Sequence, residues 1–160
     1  MKTHKTNAVR ILEKEGAAFE LRSFSYKEIP SAVEVAAILD FPAEMVYKTL
    51  VTTNGHSKGI FVFVIPGPKE LDLKKAAKAA GEKSLSMLKS RELFQEVGYV
   101  HGGCSPIGMK KRFPVFLDES ALQLEKICFS AGEIGFQIIT APETLLKTTG
   151  AATFNLVLDN

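Results

Sequence analysis

Two runs of β-branched and aromatic residues, with a turn signal between them, constrain the fold of this chain more than any other feature. The runs are Lys48–Thr53 and Gly59–Ile65, and they flank the dipeptide Asn54-Gly55. Residues of these types favour strands, and Asn-Gly tolerates the positive φ angles of a tight turn. Because the connection is longer than two residues, the sequence predicts a β-hairpin with a loose loop.

Helix and strand patterns alternate irregularly around this hairpin. Capping residues, apolar stripes and terminating glycines predict five helices, near residues 7–16, 32–39, 74–80, 90–97 and after Pro142, with Ser90 as the cap of the fourth. Five further strands are predicted at Phe19–Phe24, Ser84–Met87, Val115–Leu117, Lys126–Ser130 and Phe136–Thr140. This order is too mixed for a doubly wound parallel sheet. The sequence therefore predicts a single α+β domain, spanning residues 1–160, around a curved, barrel-like mixed sheet.

The composition excludes a disordered chain and argues against binding of long nucleic acid by overall charge. Of the 160 residues, 46% are hydrophobic, and 20 basic residues against 18 acidic ones give a net charge of +2. Such a chain can fold without disulfides or metals. Two local basic patches remain as candidate anion-binding surfaces, each with an ordinary solvated surface as the alternative. They are Lys74, Lys75 and Lys78, and the consecutive residues Lys110, Lys111 and Arg112.

The sequence also predicts a cytoplasmic protein that does not enter a membrane. Its longest apolar run, around Ile60–Ile65, is strand-sized and far shorter than the ~18–20 residues of a membrane span. The first residues lack the apolar core of a signal peptide. The two cysteines are therefore expected to be free thiols.

The stretch His101–Gly108 is the segment most informative about function. It contains three glycines and has neither a helical nor a strand period. Glycines let a backbone approach a ligand closely and turn its N–H groups toward a carbonyl oxygen, a phosphate or a developing oxyanion. The spacing matches neither the phosphate-binding P-loop nor the dinucleotide fingerprint. A tight crossing of chain segments is the alternative interpretation.

Two side chains could contribute chemistry beside such a loop. Cys104 follows His101 by three residues, which permits a thiolate with a nearby base, although an inert small residue is the favoured interpretation. Lys48 opens an apolar strand and could point into a cleft, with a surface lysine as the alternative. Cys128 lies in a strand pattern and is expected to be a buried core thiol. We expect no metal site, since no Cys-x-x-Cys pair or histidine cluster is present.

Three segments taken together resemble the YbaK/EbsC family, which is related to the editing domain inserted in bacterial prolyl-tRNA synthetases. The segments are Tyr47–Val51, Leu71–Ala79 and Gly102–Arg112. The resemblance extends over nearly the whole chain and implies the α+β fold of that family. It also implies trans-acting editing of mischarged Cys-tRNA(Pro), or of Cys-tRNA(Cys), in which the thiol of the substrate attacks its own ester and a thiolactone is released. Such an enzyme needs no metal or organic cofactor.

The resemblance further implies roles for individual positions. The residues implied for catalysis are Lys48, Gly102, Gly103 and Ser105. The residues implied for substrate binding are Phe24, Cys104, Pro106, Ile107, Gly108 and Gln137. The residues implied for tRNA contact are Lys110, Lys111 and Arg112. The implied partners are tRNA(Pro) and, in a ternary complex, prolyl-tRNA synthetase.

The chain departs from the family pattern at several positions. Gln137 stands where an aspartate is expected, and Glu133 and Ile134 replace two basic residues. Phe24 stands where a tyrosine is common, and the segment Ser25–Ser31 is shorter than expected. Three alternatives therefore stay open: deacylation of another small amino acid such as alanine, a non-catalytic module that binds tRNA or a synthetase, and an enzyme with a cysteine nucleophile.

Overall fold

The computed structural model describes residues 5–55 and 59–159, and these residues form a mixed α+β fold. Within them are five α-helices: α1 (Asn7–Lys14), α2 (Ala32–Leu39), α3 (Leu73–Ala80), α4 (Ser90–Val97) and α5 (Pro142–Thr149). The same residues contain eight strands: β1 (Phe19–Ser23), β2 (Tyr47–Thr53), β3 (Ile60–Pro66), β4 (Ser86–Met87), β5 (Val115–Asp118), β6 (Ile127–Ser130), β7 (Phe136–Thr140) and β8 (Ala152–Phe154). The predicted α+β class is confirmed, and each predicted helix and strand is present.

Local signals at the helix ends explain most of this agreement. Ser31 Oγ accepts from the Glu34 backbone N–H at 3.2 Å, and the Glu34 carboxylate accepts from the Ser31 backbone N–H at 2.9 Å. This capping box satisfies two backbone donors at the start of α2. Asp72 caps α3 by accepting from two backbone N–H groups. The prediction of Ser90 as a cap is wrong, because the extended residue before α4 is Lys89 and Ser90 is already helical.

The strands form two sheets where a single curved sheet was predicted. One is a five-stranded mixed sheet in the order β4-β2-β3-β5-β8, and the other is a three-stranded antiparallel sheet in the order β1-β7-β6. The predicted hairpin is β2–β3, with Lys48 opposite Ile65. The sheets touch through an isolated parallel bridge between Val46 and Cys128. Since the described residues contain no continuous pairing of β2 with β6, the barrel does not close.

The hydrophobic core lies on both faces of the five-stranded sheet. On one face, Val62 of β3 packs in a buried cluster with Phe129 of β6 and Leu12 of α1. On the other face, Phe63 of β3 packs in a cluster that includes Ala76 of α3. The central strand β3 is therefore buried on both sides, which explains its nearly continuous apolar sequence.

The strand β8 is an element that the sequence did not predict. It is three residues long and pairs in parallel with β5, with Leu117 opposite Thr153. Three residues are too few to show the alternation by which a strand is recognised. None of the helices in the described part of the chain has the length and apolar character that a membrane span requires.

Candidate active site

A cleft of about 490 Å³ opens between the two sheets. Its walls come from one edge of β2, from β6 and β7, from the starts of α2 and α4, and from the glycine-rich loop. Of the residues singled out in the sequence for their chemistry, the cleft brings together Lys48, His101, Gly102, Cys104 and Gln137. These residues are up to 89 positions apart in the chain, so only the fold makes them neighbours.

The cleft exists because β2 lacks a neighbour along part of one edge. At the start of this edge, Val46 bridges to Cys128 of the three-stranded sheet, and the far end of β2 pairs with β4. Between these points the described residues place no strand beside Lys48–Val51, although the Leu88 N–H donates to the Val51 carbonyl at 2.9 Å. An unpaired strand edge presents backbone donors and acceptors. The cleft therefore offers main-chain groups as well as side chains.

Lys48 places a cationic side chain at this open edge. It is half-buried and lines the cleft. Burial lowers the pKa of its ammonium group, and the negative charge of Glu70 partly offsets that effect. A charge in partly desolvated surroundings interacts more strongly with an anion than a charge in water does. Lys48 is thus suited to contact a phosphate or a developing oxyanion.

The first two glycines of the loop allow close contacts with other segments of the protein. Gly102 has a φ of +86°, and a Cβ there would lie 2.5 Å from Ile29 Cγ2. A Cβ at Gly103 would lie 3.0 Å from the backbone nitrogen of Ile134. The tight crossing suggested by the sequence is therefore present. Gly102 also lines the cleft, so its backbone is within reach of a ligand.

The residues after Cys104 support the loop from inside the protein. Ser105 is fully buried, and its Oγ accepts from the Ile107 N–H at 3.3 Å. The Ile107 carbonyl accepts from the Tyr99 hydroxyl at 2.6 Å. Because the chain turns inward here, five residues that the resemblance assigned to catalysis or substrate binding do not line the cleft. They are Gly103, Ser105, Pro106, Ile107 and Gly108.

A second cavity of about 260 Å³ lies on the other side of the loop. Lys110, Lys111 and Arg112 line it together with Glu15. Lys110 Nζ donates to the Gln95 carbonyl at 2.9 Å, which holds this side chain against α4. Lys111 and Arg112 are exposed. Lys111 and Arg112 therefore lie across the loop from the cleft, whereas the side chain of Lys110 lies against α4, a helix that also lines the cleft.

The two cysteines are buried free thiols. Cys104 packs in a cluster with Val51, Leu93 and Tyr99, and burial raises the pKa of its thiol to about 12. Burial also raises the pKa of Cys128 to about 12. Since the thiolate is the reactive form, Cys104 is a poor nucleophile although it lines the cleft. The prediction of Cys128 as a buried free thiol is confirmed.

Gln137 and Phe24 differ in their relation to the cleft. Gln137 is 6% exposed and lines the cleft, and its Oε1 accepts from Cys128 Sγ at 3.5 Å. Phe24 packs beside α2 and makes an edge contact with Tyr26, with ring centroids 6.3 Å apart. Phe24 is not among the residues that line the cleft. Its position indicates support of the wall and not contact with a ligand.

Two hydroxyl groups at the cleft were not found by sequence reasoning. Thr49 lies on β2 next to Lys48, and Ser130 ends β6 opposite Gln137. The Thr49 Oγ1 is buried and has no hydrogen-bond partner among the described residues. A buried hydroxyl without a partner costs free energy of folding. Neither residue carries a sequence signal, because each reaches the cleft through strand pairing.

In the basic patch formed by Lys74, Lys75 and Lys78, one residue has a structural role. Lys75 Nζ donates to the Val157 carbonyl at 2.7 Å and pairs with Asp159 at 3.1 Å. These contacts fasten the C-terminal segment to α3. Lys75 is therefore already engaged, whereas Lys74 and Lys78 are exposed.

Comparisons with known proteins agree on one family. The aminoacyl-tRNA editing domain matches residues 27–148 of the chain. The chain is 47% identical to EbsC of Enterococcus faecalis, over 91% of this chain and 88% of that protein, whose name proposes Cys-tRNA(Pro)/Cys-tRNA(Cys) deacylase activity. It is 29% identical to a proline–tRNA ligase of Shouchella clausii, over 70% of this chain and 19% of the ligase.

Solved structures give the same result for the fold. A protein described as a proposed trans-editing enzyme for prolyl-tRNA synthetase superimposes with a TM-score of 0.84 at 25% identity, covering 98% of this chain and all of that one. A hypothetical protein, APE2540, superimposes with a TM-score of 0.87 at 22% identity, covering 96% of this chain and all of that one. The latter comparison concerns the fold alone.

Proposed function

This chain belongs to the aminoacyl-tRNA editing domain family, and on that premise we propose that it is an aminoacyl-tRNA deacylase that removes cysteine from mischarged tRNA(Pro) in trans. The relative with 47% identity bears a name for this activity. Such an enzyme is physically necessary because a synthetase pocket separates similar small side chains by only ~1–3 kcal/mol. Its place of action is the cytoplasm, where tRNA is charged, and residues 1–160 act as one editing domain.

The substrate ester binds in the cleft between the sheets. Lys48 contacts the terminal nucleotide or the oxyanion, and the Gly102 backbone faces the reacting carbonyl. The open edge of β2 supplies further hydrogen bonds to the aminoacyl group. Holding the ester in one reactive pose can supply a large part of the rate enhancement.

The substrate itself supplies the nucleophile. Its cysteine thiol loses a proton, and the sulfur bonds to the ester carbonyl carbon. The bond from that carbon to the terminal ribose oxygen then breaks, and this oxygen takes up a proton. The products are cysteine thiolactone and tRNA with a free hydroxyl group. One observation carries this proposal: Cys104, the cysteine that lines the cleft, is packed in an apolar cluster with Val51, Leu93 and Tyr99, and this burial raises the pKa of its thiol.

Recognition of the tRNA body uses the exposed basic residues beyond the loop. Lys111 and Arg112 contact phosphates, since surface cations supply most of the sequence-independent affinity for nucleic acid. So few cations cannot select one tRNA from others. A ternary complex with prolyl-tRNA synthetase and tRNA(Pro) therefore supplies the selectivity.

The deciding experiment compares four substrates: Cys-tRNA(Pro), S-methylcysteinyl-tRNA(Pro), Ala-tRNA(Pro) and Pro-tRNA(Pro). Rapid release of cysteine alone is expected, because the methylated analogue has the same backbone and ester but no free thiol. Equal release from the methylated analogue would discard the thiolactone route and keep the editing function. Preference for alanine would change the amino-acid assignment. No release from any substrate would overturn the enzymatic function.

A further inference from the structure

We infer that Phe94, on the outer side of α4, is a stacking platform for an unpaired base of the tRNA acceptor end. This inference rests on the proposed function. Phe94 is 59% exposed, which is the largest exposed fraction among the large hydrophobic side chains in the described part of the chain. An exposed aromatic ring beside a substrate cleft is the arrangement by which proteins hold single-stranded nucleic acid.

Phe94 lies on the same helix as two residues that line the cleft. Ser90 and Leu93 both line the cleft. Successive helical residues are rotated by about 100°, so Phe94 lies beside both and farther from the cleft than Ser90 does. A nucleotide chain that leaves the cleft over the start of α4 therefore passes Phe94.

The charges around the ring favour a polyanion. Lys110 Nζ lies 5.4 Å from the centroid of the Phe94 ring, and its hydrogen bond to the Gln95 carbonyl fixes it there. Arg91 is one helical turn before Phe94 and shares its side of α4. The acidic residues of the helix, Glu92 and Glu96, project from the opposite flank because they are rotated by about 160–200° from Phe94. The ring is thus bordered by cations on its own side.

An exposed aromatic ring with cations beside it is suited to bind the single-stranded acceptor end of tRNA. The acceptor end of tRNA is single-stranded, and its terminal ribose carries the ester that enters the cleft. The bases immediately before it are unpaired and must cross the rim. One of them stacks on the open face of Phe94, while the neighbouring phosphates contact Arg91 and Lys110.

The absence of tryptophan from the chain makes a direct test possible. Phe94→Trp introduces a unique fluorophore at the platform, and a stacked base quenches indole fluorescence. The variant is titrated with a short single-stranded RNA ending in CCA, with the prolyl-tRNA synthetase alone, and with the same RNA at high salt. We expect saturable quenching by the RNA that weakens with salt. Absence of quenching by the RNA, or a response to the synthetase alone, would overturn the inference.

Kinetics separate this inference from the proposed function. Phe94→Ala should raise KM for Cys-tRNA(Pro) about 5- to 150-fold, which is the expected effect of losing one stacked base. It should leave the turnover of cysteinyl-adenosine unchanged, because that substrate fills the cleft but lacks the preceding nucleotides. Phe94→Trp should retain the wild-type KM, and Leu122→Ala, at another exposed apolar position, serves as the control. Wild-type protein inactive on both substrates would overturn the proposed function, whereas equal KM values for wild type and Phe94→Ala would overturn the platform.

Discussion

The two cavities on either side of the glycine-rich loop differ in size, burial and charge. The larger, at about 490 Å³, contains the half-buried Lys48 and is walled by β2, β6 and β7. The smaller, at about 260 Å³, is lined by three consecutive basic residues on a turn. A charge in partly desolvated surroundings acts strongly at short range, whereas exposed charges act weakly and are screened by salt. The same loop therefore separates a place suited to chemistry from a place suited to recognition.

Replacing Lys48 is the strongest test of this division. Lys48→Ala should reduce kcat/KM for Cys-tRNA(Pro) roughly 10²- to 10³-fold, comparable to the loss of one oxyanion-stabilising group. The reason is that no other lysine or arginine among the described residues lines the cleft. Lys78→Ala, at an exposed position on α3, provides the matched control and should leave the rate unchanged. An equal rate for Lys48→Ala and wild type, with the fold intact, would remove Lys48 from the site.

The two ends of the loop should also respond differently to added methyl groups. A Cβ at Gly108 would lie 2.7 Å from the Tyr99 hydroxyl and 3.1 Å from the backbone nitrogen of Ala8, and its φ is +82°. We expect Gly108→Ala to lower the free energy of unfolding by roughly 1–2 kcal/mol through the backbone and by roughly 1–3 kcal/mol through overpacking. At Gly102 the contact is with the Cγ2 methyl of Ile29, a residue that is 51% exposed and can shift outward. Gly102→Ala should therefore be less destabilising but more harmful to deacylation.

Denaturant unfolding and single-turnover deacylation of both glycine variants measure this contrast. The comparison fails if Gly102→Ala loses more stability than Gly108→Ala while keeping its rate. In that case Gly102 would have a structural role and no part in deacylation.

The sequence could predict features set by residues close together in the chain, but not features set by residues that only the fold brings together. The hairpin, the Ser31 capping box and the Asp72 cap are set by residues within a few positions of one another, and each formed as predicted. The burial of Ser105 depends on residues that only the fold brings close, and the sequence could not show it. The position of Thr49 at the cleft likewise depends on strand pairing, which the sequence does not show. Local patterns thus predicted the elements, and long-range packing decided which side chains face the cleft.

Removing the exposed cations should affect tRNA binding and leave the chemistry intact. The double variant Lys111→Ala, Arg112→Ala should bind tRNA(Pro) more weakly and lower the slope of log Kd against log salt by roughly one for each phosphate that the variant no longer binds. Its turnover of cysteinyl-adenosine should equal that of wild type. Binding measured over a range of salt concentrations, beside the Lys78→Ala control, checks this. An unchanged salt slope would show that these cations do not bind phosphate.

Burial of Cys104 predicts a loss of stability at high pH. The pKa of its thiol is raised from an ordinary value of 9.0 to about 12 in the folded protein. The folded state therefore holds this proton more tightly than the unfolded state does, and the stabilisation is complete below pH 9 and lost as the pH rises toward 12. Unfolding of wild type and Cys104→Ala measured across this range should show a shallower decline for the variant. Parallel curves would mean that the thiol titrates alike in both states.

The smallest expected effect is on the rate at neutral pH, where Cys104→Ala should change deacylation of Cys-tRNA(Pro) by less than about twofold. A thiol with a pKa of about 12 supplies almost no thiolate, and its removal leaves the Lys48 and Gly102 groups of the cleft in place. The enlarged cleft should instead admit a larger side chain on the substrate, so S-methylcysteinyl-tRNA(Pro) should bind to the variant more tightly than to wild type. Single-turnover rates and competition by the methylated substrate measure both effects. A large loss of rate, together with rapid alkylation of Cys104 in wild type, would show that the protein thiol is the nucleophile. The substrate would then not supply its own nucleophile.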